Sequence, residues 1–212
     1  MNKLFALIAL VFAFVFSAVA VQAQGNHEYA PIEEKAINYQ DWTFKSLKDD
    51  KPVNLREWAK GKRLVMVVYF APWCPNWHNE APVAARLYEK YKMQGFDVIG
   101  VSEYGPRDDT QKFFGEKGAP YTVVYESESR DVRDRTSHYT VRQASGDGRR
   151  WGSPYNVFLE PSKLSKDGEM LTEKAWVVNG ELIEADAEKF IRQRLGLDTK
   201  AQNLLSTTPC QQ

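Results

Sequence analysis

Cys74 sits in the run Phe70-Ala71-Pro72-Trp73-Cys74-Pro75-Asn76-Trp77-His78-Asn79-Glu80-Ala81-Pro82, where an apolar stretch gives way to helical spacing. A cysteine at a helix N-terminus meets unpaired backbone N–H groups and the positive end of the helix dipole, which favour thiolate over thiol. A thiolate is both a nucleophile and a soft-metal ligand. The plainer reading of any free cysteine is an inert buried side chain, but the position of Cys74 and its flanking aromatics favour a reactive site. Cys210 is the other cysteine of the chain, so at most one internal disulfide forms and a four-thiolate zinc site is excluded. Cys74 and His78 are four residues apart and share one face of a helix that includes Cys74. Thiolate plus imidazole suits copper or zinc, yet two ligands do not close a site, and a solvent-facing His78 is the simpler reading. His27 and His138 stand alone in polar segments and read as solvated.

The elements that position Cys74 follow from the pattern around it. Leu64 to Phe70 is a continuous apolar, β-branched run, as expected of a strand buried on both faces. Pro75 to Met93 has helical spacing, with Pro82 expected to kink it and Gly95 to cap its end. Phe96 to Ser102 reads as a second buried strand, and Asp108 with Gln111 resembles a capping box opening a helix to about Lys117. Strand and helix alternating over short links predict a mainly parallel sheet with helices on its faces. Further along, Tyr121 to Tyr125 is a strand candidate and Glu128 to Ser137 a charged helix, followed by a Gly/Arg-rich loop from Arg142 to Gly152. Tyr155 to Leu159 and Ala175 to Val178 read as strands, Asn179-Gly180 as a type I′ hairpin turn into Glu181 to Ile183, and Asp186 to Leu195 as a last helix.

The 212 residues carry 28 Lys+Arg against 28 Asp+Glu and are 43% hydrophobic, which excludes disordered and fibrous classes. Balanced charge removes the electrostatic reason to expect nucleic acid as a partner. Lys3 followed by apolar residues Leu4 to Phe16, with small residues at Ala18-Val19-Ala20 and Val21-Gln22-Ala23, reads as a signal peptide over residues 1–23. Contact with a membrane is expected only through that segment if it stays uncleaved. Residues 24–40 read as an extended leader, 41–197 as a single domain and 198–212 as a loose polar tail. No Gly-rich phosphate loop or nucleotide fingerprint occurs, so no cofactor is expected. Residues 127–150 hold six Arg and four Asp/Glu, a surplus that favours an acidic partner only weakly.

Trp73-Cys74-Pro75 with Glu80 and Pro82, behind Gly61-Lys62 and the apolar strand, resembles the WC-P-x-C-x-x-E-x-P region of TlpA/ResA-like thiol-disulfide oxidoreductases, secreted members of the thioredoxin superfamily. The likeness runs through Val98 to Ser102, Tyr139-Thr140-Val141, Gly152-Ser153-Pro154 and the final helix, roughly residues 40 to 196. It implies a thioredoxin-like α/β fold, a central mixed and mostly parallel sheet flanked by helices. It implies that Cys74 is the reacting thiol, that Pro154 is a cis-proline facing it, and that Ser153 offers backbone hydrogen bonds to an extended substrate. It also implies that Glu80 is the acidic group beside the thiol that governs proton movement. Export, to a bacterial periplasm or an equivalent compartment, follows from the resemblance and the signal segment together.

The chain departs from that pattern at Trp77, where the family's second cysteine would fall. Without a resolving thiol, exchange cannot close within the motif. The reading favoured is a monothiol oxidoreductase acting on protein or low-molecular-weight thiols and disulfides, with an external thiol resolving the mixed disulfide at Cys74. In a second, Cys210 resolves it, since thirteen residues of tail extend at most about 40 Å. In a third, Cys74 and His78 bind copper. In a fourth, the chain is a redox-inactive binding module in which Trp73, Pro75, Trp77 and Pro154 dock a peptide. A peroxiredoxin-type site ranks low, because that family resembles Pro-x-x-x-Thr-x-x-Cys and Ala71 stands in the threonine's place.

Overall fold

Every residue of Leu64–Phe70 is buried, and the alternation of an extended chain sends them to two different cores. Met66, Val68 and Phe70 face one and Val65, Val67 and Tyr69 the other. The computed structural model describes residues 27–198; the expected signal peptide and Cys210 lie outside them. In chain order the elements are β1 (Tyr29–Ala30), β2 (Glu33–Gln40), β3 (Thr43–Ser46), β4 (Pro52–Asn54), α1 (Leu55–Ala59), β5 (Leu64–Phe70), α2 (Pro75–Tyr91), β6 (Phe96–Ser102) and α3 (Arg107–Phe114). Then come β7 (Thr122–Tyr125), a 3₁₀ turn (Arg130–Arg135), α4 (Ser137–Ser145), β8 (Tyr155–Leu159), β9 (Met170–Val178), β10 (Glu181–Leu182) and α5 (Glu184–Arg194).

The main sheet has the order β2-β9-β8-β5-β6-β7-β3-β4. The expected mixed sheet flanked by helices is present, but its expected parallel majority is corrected. Only β5, β6 and β7 run parallel, while β8, β9, β2, β3 and β4 all pair antiparallel. Crossover helices are needed only for the parallel pairs, and α2 and α3 supply those two crossings. Trp77, Ala84, Leu87 and Tyr91 of α2 and Ala187, Phe190 and Ile191 of α5 pack on the core that contains Phe70.

Several expectations are corrected at the edges. The segment read as a leader is part of the domain, since β2 pairs with β9 and buries Ile37 and Tyr39. Helix α3 is capped by Pro106 with no side-chain hydrogen bond, so the Asp108/Gln111 capping box does not form. The charged helix expected over Glu128 to Ser137 is a 3₁₀ turn, and α4 begins where that reading ended, so Arg142 to Ser145 are helical. Thr136 caps α4 by accepting from Tyr139 N–H, a signal the charged composition masked. Asn179 and Gly180 keep negative φ, so no type I′ turn forms. Strand β10 instead runs parallel to β1, and a Cβ on Gly180 would stand 2.1 Å from the carbonyl of Glu28.

Candidate functional site

Cys74 is the N-cap of α2, at the C-terminal end of β5, with Pro75 at the first helical position where no N–H is needed. The thiol is 7% exposed and donates to the carbonyl of Ser153 at 3.1 Å. The Ser153–Pro154 peptide bond is cis. The hydroxyl of Ser153 accepts from Ala71 N–H at 2.9 Å, which ties this loop to the end of β5. Cys74 and Ser153 are therefore in contact, with Pro154 next in the chain and Pro75 exposed beside Cys74.

Trp73 flanks the thiol on the open side. Its indole donates to the Tyr104 carbonyl at 2.9 Å, and its ring meets Trp151 edge to face at 5.4 Å. Both tryptophans are partly exposed. Gly105 lets this corner close, because a Cβ there would sit 2.7 Å from Pro72 and 3.3 Å from Trp73.

Trp77 is not part of the surface. It is fully buried and stacked on Phe70 at 4.2 Å, with Phe113 alongside. The expectation that Trp77 contacts substrate is thereby corrected. At the third helical position its side chain turns inward, as i, i+3 and i+7 residues of α2 must to reach the sheet. His78 donates from Nε2–H to the Pro72 carbonyl at 2.8 Å and packs on Phe113. Among the described residues no group of three or more His, Cys, Asp or Glu is placed to hold a metal.

Glu80 is 1% exposed and makes no hydrogen bond to Cys74. Its Oε2 accepts from Leu182 N–H at 2.7 Å and from the Asn156 amide at 3.3 Å, while Oε1 is buried without a partner. Burial pushes its carboxyl up to about 8, against those two hydrogen bonds, which favour the ionised form. From its ordinary value of 4.5 to about 8 the folded protein holds Glu80 protonated while the unfolded chain ionises it. Its contribution to stability is therefore complete below pH 4.5 and is lost as pH rises through 8. A Glu80→Gln variant is expected to lose that decline, the two folding equilibria diverging by up to about tenfold per pH unit. Denaturant titrations from pH 5 to 8 check this, and parallel curves for the two proteins would refute it.

His138, expected in solvent, is fully buried. Its Nε2 pairs with the Gly152 carbonyl at 3.0 Å and its Nδ1 with the Tyr104 hydroxyl at 2.9 Å, and its ring stacks on Tyr69. Burial, with Arg142 nearby, holds the imidazole well below its ordinary range, so it is the neutral ring that donates to Gly152. Arg142 is likewise buried, paired with Asp147 at 3.5 Å and donating to the Arg149 carbonyl. Gly152 has φ +55, and a Cβ there would lie 2.2 Å from the Arg142 guanidinium, so only glycine fits between this arginine and the site loop. Tyr104 and His138 thus hold both walls of the thiol site, Tyr104 through Trp73 and His138 through Gly152. Sequence reasoning missed them because nothing in a charged segment marks which polar residue folds inward. His27 is exposed, as expected, and pairs with Glu181 at 2.8 Å.

With this geometry in place, the likenesses are consistent. The AhpC/TSA family profile matches residues 35–155. The thiol-disulfide oxidoreductase ResA of Oceanobacillus iheyensis is 28% identical over 128 residues, covering 60% of this chain and 65% of that protein. The chloroplastic peroxiredoxin Q of Gentiana triflora is 32% identical over 111 residues, 52% of this chain and 42% of that protein. The chain thus matches less than two thirds of the length of either relative. A thiol:disulfide interchange protein of the thioredoxin family from Chlorobium tepidum superposes with a TM-score of 0.53 at 20% identity, over 82% of this chain and 99% of that one. That superposition shows a thioredoxin-like fold.

Proposed function

This chain belongs to the AhpC/TSA family, and from that premise we propose that it is an exported monothiol thiol-disulfide oxidoreductase of the TlpA/ResA-like group. The observation that carries the reading is Cys74 at the head of α2, its Sγ against the Ser153 carbonyl, with the buried indole of Trp77 where the resembling family has its second thiol.

The Cys74 thiolate attacks one sulfur of a disulfide R–S–S–R′. An Sγ–S bond forms, the S–S bond breaks, and R′–S⁻ leaves and takes up a proton. An external thiolate then attacks the R sulfur, forms a new disulfide with it and releases Cys74 as thiolate. No electrons are gained or lost overall, so no cofactor is needed. Pro154 and the backbone of Ser153 border the thiol where an extended substrate would lie, and Trp73 and Pro75 line the approach. Glu80 serves as a buried proton store rather than as a direct partner of the thiol. Proteins and low-molecular-weight thiols or disulfides are the partners of this chemistry.

The reading is tested by mixing reduced protein with one equivalent of an aromatic disulfide and mapping the product by mass. A single adduct on Cys74 supports it. An unmodified Cys74 in folded protein would remove it and leave the redox-inactive binding module.

A further inference from the structure

Trp151 and Trp73 carry an unusual load of positive charge. The Arg130 guanidinium lies 3.8 Å from the centre of the Trp73 ring and 5.5 Å from that of Trp151. Arg133 and Arg150 reach to 5.6 Å and 5.2 Å of the same Trp151 ring. Arginine stacked on an indole is held in place by the ring while its N–H edges stay available for carboxylates. Among the described residues none of these three arginines forms an ion pair, and Arg130 and Arg150 use no side-chain N–H in a hydrogen bond. Asp131 and Asp134 share the 3₁₀ turn with Arg130 and Arg133, yet neither pairs with them. Arg149 and Arg142, by contrast, are both paired with Asp147, and Arg149 also meets Glu28.

This surface adjoins the thiol site through both of the chain segments that form it. Trp73 is the residue before Cys74, and Trp151 precedes Gly152 and Ser153, whose carbonyl receives the thiol. A chain lying along the Ser153–Pro154 loop would lie next to the segment that carries Arg150 and Trp151, on which Arg130 also rests.

We propose that Arg130, Arg133 and Arg150, seated on Trp73 and Trp151, select as substrate a protein segment whose disulfide-bonded cysteine is flanked by Asp and Glu. Three separated guanidinium groups match several carboxylates along an extended acidic segment better than the one or two of a small thiol. The inference rests on the exchange chemistry proposed for Cys74 and adds the class of its substrate.

The test uses octapeptides bearing one cysteine as an aromatic mixed disulfide, flanked by Asp/Glu, by Asn/Gln or by Lys/Arg, against the whole protein. The acidic peptide is expected to react about tenfold faster than the neutral one and the basic peptide slower. The preference should shrink to within about twofold in 0.5 M salt and in an Arg130→Gln/Arg150→Gln variant, both residues being exposed and outside the exchange step. Equal rates for the three peptides would overturn the proposal. So would a charge preference confined to a small carboxylated aromatic disulfide run in parallel. Binding of the same peptides with Ser in place of Cys, followed by tryptophan fluorescence, separates the two readings. Acidic-selective binding without exchange retains this surface and removes the exchange chemistry, whereas exchange without acidic-selective binding does the reverse.

Discussion

A Cys74→Ser variant is expected to lose disulfide exchange by about a thousandfold or more, because a neutral hydroxyl neither attacks sulfur at useful rates nor leaves as a thiolate would. The fold should survive. The side chain is buried and makes one hydrogen bond, to the Ser153 carbonyl at 3.1 Å, which a serine hydroxyl can also make. The cost to stability should stay within about 1 kcal/mol. Release of the chromophore from an aromatic disulfide, read beside a denaturant titration, checks both halves. A folded serine variant that kept a tenth of the rate would place the chemistry elsewhere.

Replacing Trp77 by Ala should cost about 3–5 kcal/mol of stability. The indole is fully buried between Phe70 and Phe113 in the core that joins α2 to the sheet. Among the described residues its Nε1–H has no partner, so Trp77→Phe removes an unsatisfied donor along with some volume and should cost clearly less than the alanine. This contrast bears on mechanism. A cysteine at 77 would leave a cavity close to the alanine's, so restoring the family pattern with Trp77→Cys is expected to weaken the fold rather than simply return a resolving thiol. Urea midpoints for the three variants settle the order. A Trp77→Ala protein within about 1 kcal/mol of the parent would contradict the burial on which this rests.

The sequence made β5 and its junction with α2 legible because the relevant signals are local. Seven apolar residues in a row leave no solvent face, and a proline after the cysteine marks the first turn of a helix. Cys74 meets Ser153, with Pro154 next in the chain. Trp77 was misread because it stands at the position of the family's second cysteine, which puts it beside the thiol in sequence, while helical geometry turns its side chain inward. His138 and Arg142 were misread for a different reason. Their burial depends on partners distant in sequence, the Gly152 carbonyl, Tyr104 and Asp147, and no periodicity encodes such pairings. The parallel sheet was overextended because β8 is as continuously buried as β5, and strand direction is set by pairing rather than by composition. The arginine surface lay partly in view as a charge surplus over residues 127–150. Only the fold shows that Asp147 pairs with two of those arginines and that three others ride on tryptophans.

The central claim is that Cys74 forms a mixed disulfide which the protein cannot resolve by itself. The most direct measurement is the lifetime of that adduct, formed quantitatively on the protein with Cys210 in place and, for comparison, on a Cys210→Ser variant, and followed by intact mass with and without added thiol. The account predicts an adduct that persists for hours alone and decays at a rate proportional to external thiol concentration. Decay that proceeds equally fast without added thiol, or an adduct untouched by it, would contradict monothiol exchange at Cys74.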